Sequence, residues 1–220
     1  MITFIIGAMP VEGQWIRDVV NTYEKDERTI IACDRGYFNT NMAGIIPDVV
    51  IGDFDSAGEV LYEHLMRENK NVIKLNPIKD DTDIEAALRY SFENTEGDIV
   101  ILGALGGRID HTLGNIALLG LGLEHGRDVY LQNAVNRVQM IPPNGELVLK
   151  KAEQYGKYVS VFPYMSEVTG LTMAGFKYPL EQATIKGFNT LTVSNEIEAD
   201  IAYIRHQDGY LLVCETVDGN

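Results

Sequence analysis

The chain has 220 residues, 45% of them hydrophobic and 23% charged, with a net charge of −14. That length allows one large domain or two small ones, and a core of this size needs no disulfides. The charge excludes a nucleic-acid backbone as the main partner, which requires a basic surface. Anionic small molecules stay open, because a divalent cation held by carboxylates inverts the local field.

Cys33 and Cys214 are the only cysteines. Neither has a CxxC partner or a nearby histidine, so metal and redox motifs are absent. The apolar start MITFIIGAMP lacks a basic flank and is not read as a signal peptide. No window approaches the ~18 apolar residues of a membrane span, so no membrane partner is expected. A cytoplasmic location follows by default.

In chain order, ITFIIG (2–7) reads as a strand and 11–23 as a helix with Trp15, Val19 and Val20 near one face. TIIACD (29–34) is the next strand, followed by a short helix over 37–43 and the strand DVVIGD (48–53). Residues 59–68 read as a helix and NVIKL (71–75) as a strand. The helix over 82–92 begins with Thr82 as N-cap and Glu85 in a capping-box position. DIVILGAL (98–105), a helix over 111–123 and the strand DVYLQN (128–133) complete the first part. Strands this apolar, separated by helices, predict a mainly parallel sheet covered on both faces.

From Arg137 onward no amphipathic helix is evident. RVQMI, ELVLK, YVSVFPY, EVTGL, ATIKG, TLTVS, DIAYIR and YLLVCE read as short strands between the turn signals PPNG, MAGF, GFN and QDG. This spacing predicts an antiparallel sandwich or barrel. The expected organisation is an α/β domain over residues 1–135 and an all-β sandwich over 136–220.

Ligands of an open α/β sheet gather at the carboxyl ends of its strands. Acids recur there: Asp34 after TIIAC, Asp53 and Asp55 after VVIG, Asp80, Asp81 and Asp83 after NVIKL, and Asp110 after GALGGRI. Clustered acids repel unless a cation sits between them, and hard oxygen donors suit Mg²⁺ with substrate phosphates. Each acid also has a plain alternative. Asp34 can begin a turn, Asp55 or Ser56 can cap a helix, and Asp80 to Asp83 can be a solvated loop. In GALGGRIDHTLGN (103–115), three glycines permit a tight turn and Arg108 can grip phosphate. Asp110, His111 and Thr112 then open a helix whose amides favour an anion. A glycine-rich turn alone is a weak signal, and this is no Walker loop, because GxxxxGK[ST] is absent.

Together, DRGYFNTNMAGIIPDVVIGDFDS, KDDTDIEAAL, GGRIDHTLGNIALL and TLTVSNE resemble the thiamine pyrophosphokinase family. The blocks come in that family's order and span residues 34–196. The resemblance implies an N-terminal ATP-binding α/β domain, a C-terminal thiamine-binding β-sandwich, and a homodimer with the thiamine site at its interface. It implies transfer of the β,γ-pyrophosphoryl group of ATP to the thiamine hydroxyl, with release of AMP. Mg²⁺ would be held by Asp53, Asp55, Asp80 and Asp83. Asp34, Asp80, Arg108, His111, Thr112, Ser194, Asn195 and Glu196 would contact substrates. Asp55, Asp83, Arg108 and Asp110 would serve catalysis. Three departures stand out: Arg35 where many members have glycine, Lys79 where the block often begins with Gln, and Ile197-Glu198 where some members stack thiamine on an aromatic. Trp15 is the only tryptophan, and Tyr203 is the aromatic candidate in the second part.

Two rival readings exist. DFDS resembles the DxD start of haloacid-dehalogenase-type phosphatases, although those place it on the first strand. A non-catalytic ATP- and thiamine-binding protein is the other.

Overall fold

The computed structural model describes residues 1–54, 58–67, 71–76 and 81–219. The chain divides into two compact units, Met1–Ala134 and Val135–Asn220.

The first unit alternates strands and helices: β1 (Ile2–Ile6), α1 (Gly13–Val20), β2 (Arg28–Cys33), α2 (Gly36–Met42), β3 (Val49–Gly52), α3 (Gly58–Arg67), β4 (Val72–Lys74), α4 (Asp83–Asn94), β5 (Asp98–Leu102), α5 (Ile109–Glu124) and β6 (Val129–Asn133). The sheet order is β4-β3-β2-β1-β5-β6, and each adjacent pair is parallel. All five residues of β1 are buried, as expected for a strand covered on both faces. Phe4 and Ile6 pack with Ile16 and Val20 of α1 on one side. On the other, Thr3 Oγ1 donates to Thr95 Oγ1 just beyond α4 (2.8 Å). Each isoleucine fully buried this way contributes roughly 1.5–3 kcal/mol.

Helix α4 starts as its sequence predicts. Thr82 Oγ1 accepts from the Glu85 amide (3.2 Å). The reciprocal half of the capping box is not made, because Arg89 takes the Glu85 carboxylate instead (2.7 Å). Neither Arg89 nor Glu85 is deeply buried, so this exchange is a modest surface preference.

The second unit is strand-rich: β7 (Asn136–Ile141), β8 (Glu146–Lys150), β9 (Tyr158–Ala174), β10 (Leu180–Ile185), β11 (Asn195–Glu196), β12 (Ile201–Arg205) and β13 (Asp208–Thr216). YVSVFPY and EVTGL are not separate strands; they are the two halves of the 17-residue β9. Its first half pairs antiparallel with β13 and β11, its second with β10 and β12. Val161, Leu171, Met173, Ile204 and Val213 centre the core. Glu215, almost fully buried, accepts two bonds from Arg137 across the β7–β13 ladder and one from the Tyr155 amide. That satisfies both carboxylate oxygens, the condition for tolerating a buried charge.

TLTVS departs from expectation: Thr190 to Ser194 form a turn, and the strand starts only at Asn195. Local side-chain bonds compete with the ladder there. Asn189 Oδ1 accepts from the Leu191 amide (2.6 Å), and the Thr192 hydroxyl donates to the Val161 carbonyl.

Among the described residues, no helix is long and apolar enough to cross a membrane. Cys33 and Cys214 form no disulfide. Burial pushes the Cys214 thiol up to about 11, and Cys33 is only 2% exposed. Both thiols are expected to stay silent toward an aromatic disulfide reagent at about pH 8 and to react once denatured. A stoichiometric reaction of the native protein would contradict this burial.

Candidate active site

The strand order reverses direction between β1 and β5, since β2, β3 and β4 lie on one side of β1 and β5 on the other. Such a switch point opens a crevice at the carboxyl strand ends. Here both strands run into glycine. A side chain on Gly7 would lie 2.5 Å from the Gly103 carbonyl oxygen, and one on Gly103 would lie 2.6 Å from that of Gly7. The two backbones therefore cross in direct contact, joined by Gly7 N–H to Leu102 O (2.7 Å) and Met9 N–H to Gly103 O (3.0 Å). Above them lies a cavity of about 500 Å³.

Two buried asparagines hold its floor. Asn39 Nδ2 of α2 donates to the carbonyls of Gly7 and Met9, each at 2.8 Å. Asn115 Nδ2 of α5 donates to the Ala104 carbonyl (2.8 Å). Sequence reasoning passed over both, and over the apolar wall of Ala8, Met9, Pro10 and Ile84. One signal was available: two strands of a parallel sheet that each end in glycine.

Asp34, Asp53, Asp83, Arg108 and His111 all line this cavity, as does Asp81. Asp34 sits in left-handed backbone (φ 43°) at the end of β2, its amide bonded to the Ile51 carbonyl of β3 (2.7 Å). A side chain on Gly52 would come within 3.0 Å of Asp34 Cβ, so the glycine keeps the two strand ends close. Arg35 is exposed and starts α2, whereas Gly36 is buried against β1. The arginine in the DRG block therefore replaces a residue with room to spare. Asp55, Asp80 and Lys79 lie outside the described residues.

The strand read over DVVIGD (48–53) stops one residue short of Asp53. Strand β3 ends at Gly52, and Phe54 adopts left-handed backbone (φ 54°). For a bulky residue this is a true outlier. Its ring is nonetheless buried, 5.5 Å from that of Tyr62. The turn thus stays anchored by its aromatic side chain rather than by ladder bonds.

Arg108 stands at the start of α5 behind Gly106 and Gly107, both left-handed and both facing open space where a side chain would go. Asp110 does not line the cavity. Instead it grips Arg108 with both oxygens (3.1 and 2.5 Å). The Arg108 guanidinium in turn holds the Asp110 carboxyl below the usual carboxylate range. Thr112 also serves the loop: its Oγ1 accepts from the Gly106 amide (3.2 Å) and can donate to the Gly106 carbonyl (3.1 Å). Among the described residues, no three His, Cys, Asp or Glu side chains form a ready metal cluster.

The remaining candidates belong to the second unit. Ser194 is left-handed (φ 58°) and its amide donates to Ser160 Oγ (2.9 Å). Buried Asn195 binds the Tyr178 backbone as another strand would, donating to its carbonyl (2.8 Å) and accepting from its amide (3.0 Å). Tyr178, another residue missed from sequence, carries a 61% exposed ring. Glu196 lies between Lys177 (3.0 Å) and Lys157 (3.7 Å), and the hydrogen bond from Lys177 draws its carboxyl pKa down. Tyr203, on β12, is partly exposed, while Trp15 packs against the core of the first unit.

Two family models match in tandem. "Thiamin pyrophosphokinase, catalytic domain" covers residues 20–131, and "Thiamin pyrophosphokinase, vitamin B1 binding domain" covers 146–211. The chain belongs to the thiamine pyrophosphokinase family. The thiamine pyrophosphokinase of Bacillus subtilis is 36% identical over 201 residues, 88% of this chain and 90% of that one. A crystal structure of thiamine pyrophosphokinase from Bacillus subtilis superposes with a TM-score of 0.87 at 31% identity over the whole of both chains. That of thiamin pyrophosphokinase from Geobacillus thermodenitrificans gives 0.85 at 29%, covering 100% of this chain and 99% of that one. The yeast enzyme, at 14% identity, shares the fold (TM-score 0.76, covering 98% of this chain and 86% of that one). Every thiamine pyrophosphokinase block read from the sequence falls within the matched residues.

Proposed function

We propose that the chain transfers the β,γ-pyrophosphoryl group of ATP to the primary hydroxyl of thiamine, giving thiamine diphosphate and AMP. Family membership over both units carries this reading, supported by acids, Arg108 and a glycine turn on one cavity. Residues 1–135 would bind ATP. Residues 136–220, a sandwich on the reading that β9 bends from one sheet into another, would contribute the thiamine side through Ser194, Asn195 and Glu196. A homodimer with its thiamine site at the interface and a cytoplasmic location complete the proposal; both rest on the family resemblance.

Asp53 and Asp83 line the same cavity, and Mg²⁺ in phosphate sites commonly takes only one or two carboxylates. The donor set therefore fits Mg²⁺, with Asp55 and Asp80 as further ligands. When bound, the ion would offset phosphate charge.

Pyrophosphoryl transfer asks mostly for positioning and charge neutralisation. The thiamine oxygen bonds to the β-phosphorus as the bond from that phosphorus to the AMP oxygen breaks. Arg108, pre-aimed by Asp110, neutralises charge on the transferred group. Asp83 accepts the hydroxyl proton, because Asp110 already spends both oxygens on Arg108. His111 and the Gly106–Gly107 turn bind and orient the nucleotide phosphates, while Asp34 accepts from a substrate donor elsewhere on the cavity wall. The negative chain also steers the cationic thiazolium toward the site.

Incubation with Mg-ATP and thiamine, with AMP separated from ADP, tests the reaction. AMP with thiamine diphosphate is expected; ADP points to an ordinary kinase instead. Asp53→Asn and Asp55→Asn are each expected to lower turnover at least about 100-fold with the fold intact. Near-parent activity at saturating Mg²⁺ would remove that acid from the metal site. Nothing favours the haloacid-dehalogenase reading, since the DxD pair follows the third strand.

A further inference from the structure

A second cavity, of about 340 Å³, lies at the opposite edge of the first unit's sheet. Arg28 opens β2 and Asp48 immediately precedes β3, so this cavity sits at the amino ends of the strands, away from the catalytic rim. Its charged lining is Arg17, Lys25 and Arg28 against the single acid Asp48, with Ile45 and Ile46 as the apolar wall. In a chain of net charge −14, three cations facing one acid across one cavity is a local reversal of sign.

The cations are only partly used by the protein. Arg28 Nη1 donates to the Val20 carbonyl, to Asn21 Oδ1 (2.9 Å) and to the Tyr23 carbonyl (2.9 Å). Its Nε is buried with no hydrogen-bond partner. Arg17 Nε donates to the Ala43 carbonyl (2.7 Å), and its terminal nitrogens make no further bond among the described residues. Lys25 makes no ion pair there either. Asp48 is already committed, its Oδ2 accepting from the Ile30 amide (2.8 Å). It forms no salt bridge with any of the three cations among the described residues. The carbonyls that end α1 and α2 account for one N–H of Arg17 and for Nη1 of Arg28, which leaves guanidinium and ammonium donors over. The unused guanidinium and ammonium N–H groups of residues lining the cavity are charge-assisted donors, and an oxyanion is the acceptor that matches them.

We propose that this cavity binds a small phosphate-class oxyanion, such as inorganic phosphate or diphosphate, held by Arg17, Lys25 and Arg28. The site is distinct from the nucleotide cavity and independent of the reaction proposed there. Amide nuclear magnetic resonance on the full chain tests it, with sodium phosphate titrated against sodium chloride at equal ionic strength. Saturable shifts are expected at the amides of Lys25, Gly44 and Ile45. Lys25→Gln, which removes a charge holding no other described group, is expected to weaken them about tenfold. Arg17→Gln is expected to do the same, while phosphate-induced shifts at Gly106 and Gly107 stay as in the parent. The proposal fails if chloride reproduces the shifts, if they do not saturate, or if both variants retain the parent affinity.

Discussion

Arg108→Ala is expected to lower kcat by about 10²–10³-fold, the usual loss of one donor aimed at developing charge. The melting transition should not move, because Arg108 is largely exposed and, among the described residues, its side chain bonds only Asp110. Asp110→Asn separates positioning from chemistry. It keeps the guanidinium but weakens the two-pronged grip, so its kcat should fall between those of the parent and Arg108→Ala. If the two variants were equally inactive, Asp110 would have to act on substrate directly. If Arg108→Ala retained kcat and raised only KM, the arginine would be a ground-state phosphate contact. Because Arg108 holds the Asp110 carboxyl below its usual range, the grip is fully formed at neutral pH.

Gly36→Ala is the second large effect, this time on the fold. An added methyl would sit 1.9 Å from the Ile6 carbonyl oxygen, a backbone atom that cannot swing aside. A cost of at least about 3 kcal/mol is expected, at the top of the range for overpacking. For a unit of this size that lowers the melting temperature by about 10 °C. Arg35→Gly, one residue earlier, should change stability by less than about 0.5 kcal/mol, because Arg35 is exposed. Calorimetry on the two variants decides whether Gly36, the one glycine of the DRG block, is required by the fold. Equal melting temperatures would overturn the argument.

The alternating strands of the first unit were legible because a parallel sheet covered on both faces needs continuous apolar runs such as ITFII and DIVIL. The start of α4 at Thr82 was legible from capping chemistry, and the rim acids from their position after each run. What escaped was tertiary. Asn39 and Asn115 read as ordinary polar residues on helices, and only the fold turns their amides onto loop carbonyls. TLTVS has a strand's composition, yet side-chain bonds from Asn189 and Thr192 outcompete the ladder. Asp110 reads as a member of the site, and what the sequence does not show is that both its carboxylate oxygens accept from Arg108. Tyr178 went unnoticed because its partner Asn195 lies 17 residues away.

Asp34, Phe54 and Ser194 share a property that no composition scale predicts: each is a non-glycine residue in left-handed backbone, and each lies in one of the family's sequence blocks. Such a conformation costs roughly 1–2 kcal/mol per residue, and it persists only where surrounding contacts overrule it. Glycine would be comfortable at all three. Selection for thermal robustness alone would therefore push these positions toward glycine, and would lose a carboxylate, an aromatic anchor and a hydroxyl in doing so. The blocks that identify the family are thus also where durability and function pull the sequence in opposite directions.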